Sequence, residues 1–167
     1  MEARKLSSPP PPFQVSLRIR HPSMDPEVLS RELGIGAEHS FRAGDVRQSR
    51  SRLAPAAVHA ATYWLATLNP ASWLPAMSFT ARPDWMPAQI RMGQAVTQSL
   101  GWTLGLSATR FRSAHAALFH QIRSEGGQVS LLVAISAVAV SGFTLTPEVG
   151  RVFSELGVTL EFEFSNE

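Results

Sequence analysis

The chain has 167 residues, 44% of them apolar and 17% charged, with a formal net charge of +2. That length and balance suit one folded domain with a real core and exclude a largely disordered chain. The absence of cysteine excludes disulfides, thiolate metal ligands and cysteine nucleophiles.

Residues 1–12 read as a proline-rich tail, with Pro9 to Pro12 favouring polyproline II. The opening MEARKLSSPPPPF has no apolar run after its basic residues, so no secretory signal is expected. The longest apolar stretch, residues 131–140, falls well short of the ~20 residues of a spanning helix. No membrane segment is expected, and a cytoplasmic location follows by default. Residues 13–167 read as a single α/β domain.

From Phe13 the pattern has period two. Phe13, Val15, Leu17 and Ile19 alternate with Gln14, Ser16, Arg18 and Arg20, as in a strand with one buried face. Asp25-Pro26-Glu27 opens a helix: an N-cap acceptor, a proline at the first helical position, and an acid at the positive helix end. Leu29 and Leu33 share a face, and Gly34 suits a left-handed cap. The same grammar returns near the end. Residues 128–135 read as a mostly buried strand. Thr146-Pro147-Glu148 opens a helix striped by Val149, Val152, Phe153 and Leu156, capped at Gly157. Val158, Leu160, Phe162 and Phe164 then alternate as a final strand.

The middle carries weaker signals. Residues 57–68 fit a strand or a short helix. Met86, Ile90, Gly93, Val96 and Leu100 approximate a helical stripe. Trp102, Leu104 and Leu106 alternate as a strand, and residues 111–122 form a helix face stopped by Gly126-Gly127. The expected fold is α+β: an antiparallel or mixed sheet from two strand–helix–strand units, with a helical Trp/Met-rich insert over about residues 53–100. A ferredoxin-like plait would set the first and last strands side by side, with Arg18 and Arg20 near Glu161 and Glu163. Each such exposed pair contributes only ~0.2–1 kcal/mol but helps to set register.

The order HPSMDPEVLSRELGIGAEHSFRAGD, a Trp-bearing strand, a helix ending in GG, a long apolar strand and FTLTPEVGRVFSELGVTLEFEF resembles the bacterial domain of unknown function 4279. The resemblance covers residues 13–52 and 101–165. Tyr63-Trp64-Leu65 and Gly101-Trp102-Thr103-Leu104 both fit its Trp strand, and the second is favoured because the expected helix follows it directly. The resemblance carries structural signatures only and implies no catalytic residue.

Several chemistries can be set aside. Lys5 is the sole lysine, so there is no phosphate-loop or Schiff-base lysine in the folded part. His115 and His120 are five apart and point ~140° from each other on a helix, which is poor chelating geometry. No G-x-S-x-G elbow is present. No catalytic, cofactor or metal residue is assigned, and the small net charge argues against nucleic acid.

Two features could bind something. Arg42, Arg47, Arg50 and Arg52 could take an anion with their guanidinium forks; the plainer alternative is a solvated loop partly neutralised by Asp45. Trp64, Trp73 and Trp85, with Met77, Phe79, Met86 and Met92, could form a protein-binding surface; the plainer alternative is a satellite core over the sheet. The leading expectation is a non-catalytic binding or protein-interaction module. The next is a sensor of a small anionic ligand at residues 42–52. An enzyme using Asp45, His39 or His59 comes last, since nothing in the sequence brings them together.

Overall fold

The computed structural model describes residues 13–47, 57–69, 100–136 and 143–165. Strand β1 (Phe13–His21) buries Phe13, Val15, Leu17 and Ile19, while Gln14 and Arg20 are exposed and Arg18 is half-buried. Helix α1 (Pro26–Leu33) starts where Asp25 Oδ1 accepts from the Glu27 N–H at 2.9 Å. It ends at Gly34, whose φ of +66° lets the Ile35 N–H donate back to the Ser30 carbonyl. Helix α4 (Pro147–Leu156) repeats the device with the Thr146 hydroxyl and Gly157 at φ +64°.

With β2 (His39–Phe41), β3 (Thr62–Thr67), β4 (Gln128–Ser136) and β5 (Val158–Ser165), the strands form one mixed sheet in the order β2-β3-β1-β4-β5. All neighbours are antiparallel except β4 and β5, which run parallel and are joined through α4. One apolar cluster unites the inward residues of β1, β3 and β4 with Leu29 and Leu33 of α1, Phe119 and Ile122, and Val149, Phe153 and Leu156 of α4. The helices therefore lie against one face of the sheet. Arg18, Arg20, Tyr63, Leu65, Ser130, Thr159 and Glu161 belong to the opposite face by strand alternation.

Two expectations are corrected. Residues 101–104 are helix, not strand: α2 (Leu100–Arg110) leads through a π-helical turn (Phe111–His115) into α3 (Ala116–Ser124). The alternation was misleading because Thr103, Gly105 and Ser107 look polar yet are buried like their neighbours. Their small size permits it, and the Ser107 hydroxyl is satisfied by the Thr103 carbonyl one turn back at 2.9 Å. The Trp-bearing strand is thus Tyr63-Trp64-Leu65, inside β3 and next to the central strand, so residues 62–67 are part of the sheet rather than of an insert.

The first and last strands are also not neighbours, because β1 has both edges taken, by β3 and β4. The ion pair between Arg18 and Glu161 nevertheless forms across β4. Arg18 pairs with Ser130 in the register, and a serine there is small enough for two long side chains to meet over it.

Histidine 21 fixes the place where β1 leaves the sheet. Its Nδ1 accepts from the Met24 N–H at 2.8 Å and the Ser23 N–H at 3.1 Å, so the ring proton sits on Nε2. Nε2 lies 3.1 Å from Glu125 Oε2 at the end of α3.

Trp64 is fully buried (0% exposed), and its Nε1–H donates to Ser30 Oγ of α1 at 2.9 Å. Trp64→Ala is expected to lower the unfolding free energy by about 3–5 kcal/mol in urea denaturation. An unchanged midpoint would contradict this placement. Burial, with a smaller contribution from the Arg110 charge, holds His115 below the ordinary histidine value of 6.5. The unfolded chain therefore takes up a proton that the folded chain refuses, and stability falls as pH drops from above 6.5 through the lowered folded value. Denaturation midpoints across that window should show the fall, and His115→Gln should flatten it.

Candidate functional site

The β2–β3 pairing does not stop at the sheet. Past a turn at residues 42–45 the two segments meet again, with Val46 making an isolated bridge to Val58. The His59 N–H donates to the Asp45 carbonyl at 2.9 Å, the His59 carbonyl accepts from the Gly44 N–H at 2.8 Å, and the Arg47 N–H donates to the Ala57 carbonyl at 2.8 Å. The turn is braced locally by Asp45, whose Oδ2 accepts from the Arg42 N–H at 2.7 Å. By this point β1 has gone: its last pair with β3 is His21 with Thr62.

A hollow of about 380 Å³ opens where β1 ends and the hairpin runs on. Arg18, Arg20, Arg47, Phe41, His59 and Tyr63 line it, with the backbone around Val58 and Ala60. Both His59 backbone groups are bonded to the turn that follows β2.

Three rings stack in this hollow. Phe41 lies 3.6 Å from His59, centroid to centroid, and 5.2 Å from Tyr63, with interplanar angles of 21° and 13°. The register sets Phe41 opposite Tyr63, and His59 comes to the other ring from the segment just before β3.

The arginines divide by partner. Arg42 joins the hairpin to the start of α1, 2.9 Å from Asp25 Oδ2 and 3.3 Å from Glu27 Oε1. Arg18 is engaged by Glu161. Arg20 and Arg47 reach the same hollow with no carboxylate partner among the described residues. Two guanidinium groups without a carboxylate partner beside stacked rings have the chemistry that suits an anion.

Of the residues singled out in the sequence, Arg47 lines the hollow and Arg42 stands beside it, engaged elsewhere. Trp64 faces the helices and presents no surface. Trp73, Trp85, Arg50 and Arg52 lie outside the described residues. Arg20, Phe41 and Tyr63 were not singled out as site residues. The signal available for them was the pairing of two short runs, HSF and TYWLAT, on either side of the arginine-rich stretch. His59 is stacked on Phe41 and lines the hollow, the Asp45 carboxylate is bonded within its own turn, and neither Asp45 nor His39 is among the lining residues. Among the described residues no group of three or more His, Asp or Glu is placed to hold a metal ion, and no helix is long and apolar enough to cross a membrane.

Comparison with family models, curated proteins and solved structures finds no match.

Glu161 sets the charge next to the hollow. Partial burial pushes its carboxyl up, but hydrogen bonds from Ser130 and Arg18 and the Arg18 charge outweigh this and leave it below the ordinary value of 4.5. Its folded value being lowered, the stabilisation is present above that ordinary value and is lost as pH falls through the folded one. Glu161→Gln should therefore reduce the loss of stability on acidification below pH 4.5, read as the midpoint of urea unfolding against pH.

Proposed function

We propose that this chain is a non-catalytic binding module, and that its ligand is a small anion held in the hollow by Arg20 and Arg47. The observation that carries this reading is that both guanidinium groups line one concavity and neither meets a carboxylate among the described residues. An anionic ligand supplies the charged partner that neither guanidinium group has among the described residues. The size of the hollow, about 380 Å³, suits one small molecule.

The version that relied on Trp64, Trp73 and Trp85 against a protein partner loses Trp64 to the core. The anion reading moves the site from residues 42–52 alone to the junction of that stretch with β1 and β3.

The strand order β2-β3-β1-β4, with helical crossovers from β1 to β2 and from β3 to β4, supports reading the first four strands as a ferredoxin-like plait extended by α4 and β5. The capped helices ending in LG and the closing strand support placing the chain with the bacterial domain of unknown function 4279. Neither assignment alters the anion site, which rests on local geometry.

Thermal-shift measurements with a library of small phosphates and carboxylates test the function. At least one compound is expected to raise the melting temperature, with the shift diminishing at higher salt. The shift should vanish in Arg20→Ala and in Arg47→Ala, both exposed positions whose replacement leaves the core untouched. Silence across the library, or shifts indifferent to both substitutions, would overturn the proposal.

A further inference from the structure

We infer that the anion taken by this hollow carries a flat aromatic ring, and that a nucleoside monophosphate is the class of ligand it fits. This rests on the reading of Arg20 and Arg47 as an anion site and adds a second half to it. The added observation is the ring column. His59, Phe41 and Tyr63 come from two chain segments, yet their planes agree within 21° and 13° and all three border the hollow.

The column is built from the hairpin itself. The register places Phe41 opposite Tyr63, and Tyr63 opposite Arg20, so a ring, a ring and a cation follow one another across β2, β3 and β1. Arg47 comes to the same hollow from the hairpin's outer end. A flat ring set against the end of the column continues its stacking, while a phosphate on the same molecule is within reach of the guanidinium groups. Stacking of this kind is tolerant of which base is presented, because every base has a π-face.

Bare inorganic phosphate uses the cations alone and leaves the column uncovered. The volume, about 380 Å³, accommodates one such molecule.

Isothermal titration of the full chain with three probes tests this: adenosine 5′-monophosphate, ribose 5-phosphate and inorganic phosphate. Adenosine monophosphate is expected to bind about tenfold or more tightly than ribose 5-phosphate. Tyr63→Leu should bring it down to the ribose 5-phosphate level while leaving ribose 5-phosphate itself unchanged. Phe41→Leu, on the short edge strand, should do the same and serves if Tyr63→Leu fails to fold by circular dichroism. Equal affinities of the two sugar phosphates, with binding still dependent on Arg20 and Arg47, would overturn the ring inference and leave the anion reading standing. An absence of binding by all three probes would overturn the ring inference. It would reach the anion reading as well only if the wider anion library were also silent.

Discussion

The fold depends on the register of β1. It is hydrogen-bonded on both edges, to β3 and to β4, so its alternation is imposed on the sheet around it. A slip of one residue would carry Val15, Leu17 and Ile19 to the arginine face and bring Arg18 and Arg20 against the helices. The desolvation of two guanidinium groups makes that exchange prohibitive, and the native pairing is specified from both faces at once. The Arg18–Glu161 pair adds little stability by itself, but it ties the central strand to the last one and reinforces the same register.

The distribution of arginines follows from what surrounds each one. Arg42 is held by the acids that open α1, and Arg18 by the acid of β5. Both are structural cross-links between elements distant in sequence. Arg20 has Tyr63 and Gln128 as its cross-strand neighbours, neither of which is an acid. Arg47 sits on the hairpin beyond the last β1 pair. Of the arginines around the hollow, the two without an acid are thus those whose neighbours in the register carry no negative charge, and both line the same concavity.

Much of the fold was legible because local and tertiary signals agreed. Strands β1, β4 and β5 and helices α1 and α4 lie where alternation and capping put them, for Asp25, Thr146, Gly34 and Gly157 each meet a specific backbone need. The segment 101–106 misled because a helix buried nearly all round has no solvent face to impose a 3.6-residue period. Residues 57–68 were ambiguous for a related reason, since Ala60, Ala61, Tyr63, Trp64 and Leu65 blur the alternation that β3 in fact has. The site was half legible. Arg47 belongs to a conspicuous run of arginines, whereas Phe41, Tyr63 and Arg20 gain meaning only once three strands are paired. Pairing is a long-range property, and no window of sequence contains it.

Strand β5 closes one side of the sheet, and its outer backbone has no further strand among the described residues to bond to. An eight-residue strand of alternating Leu160, Phe162 and Phe164 is an inviting template for a second molecule. Glu161 and Glu163 stand on the same strand, so two copies approaching edge to edge bring carboxylates together before any backbone bond can form. The acidic residues of β5 thus oppose edge-to-edge pairing, and one of them, Glu161, also ties the last strand to the central one.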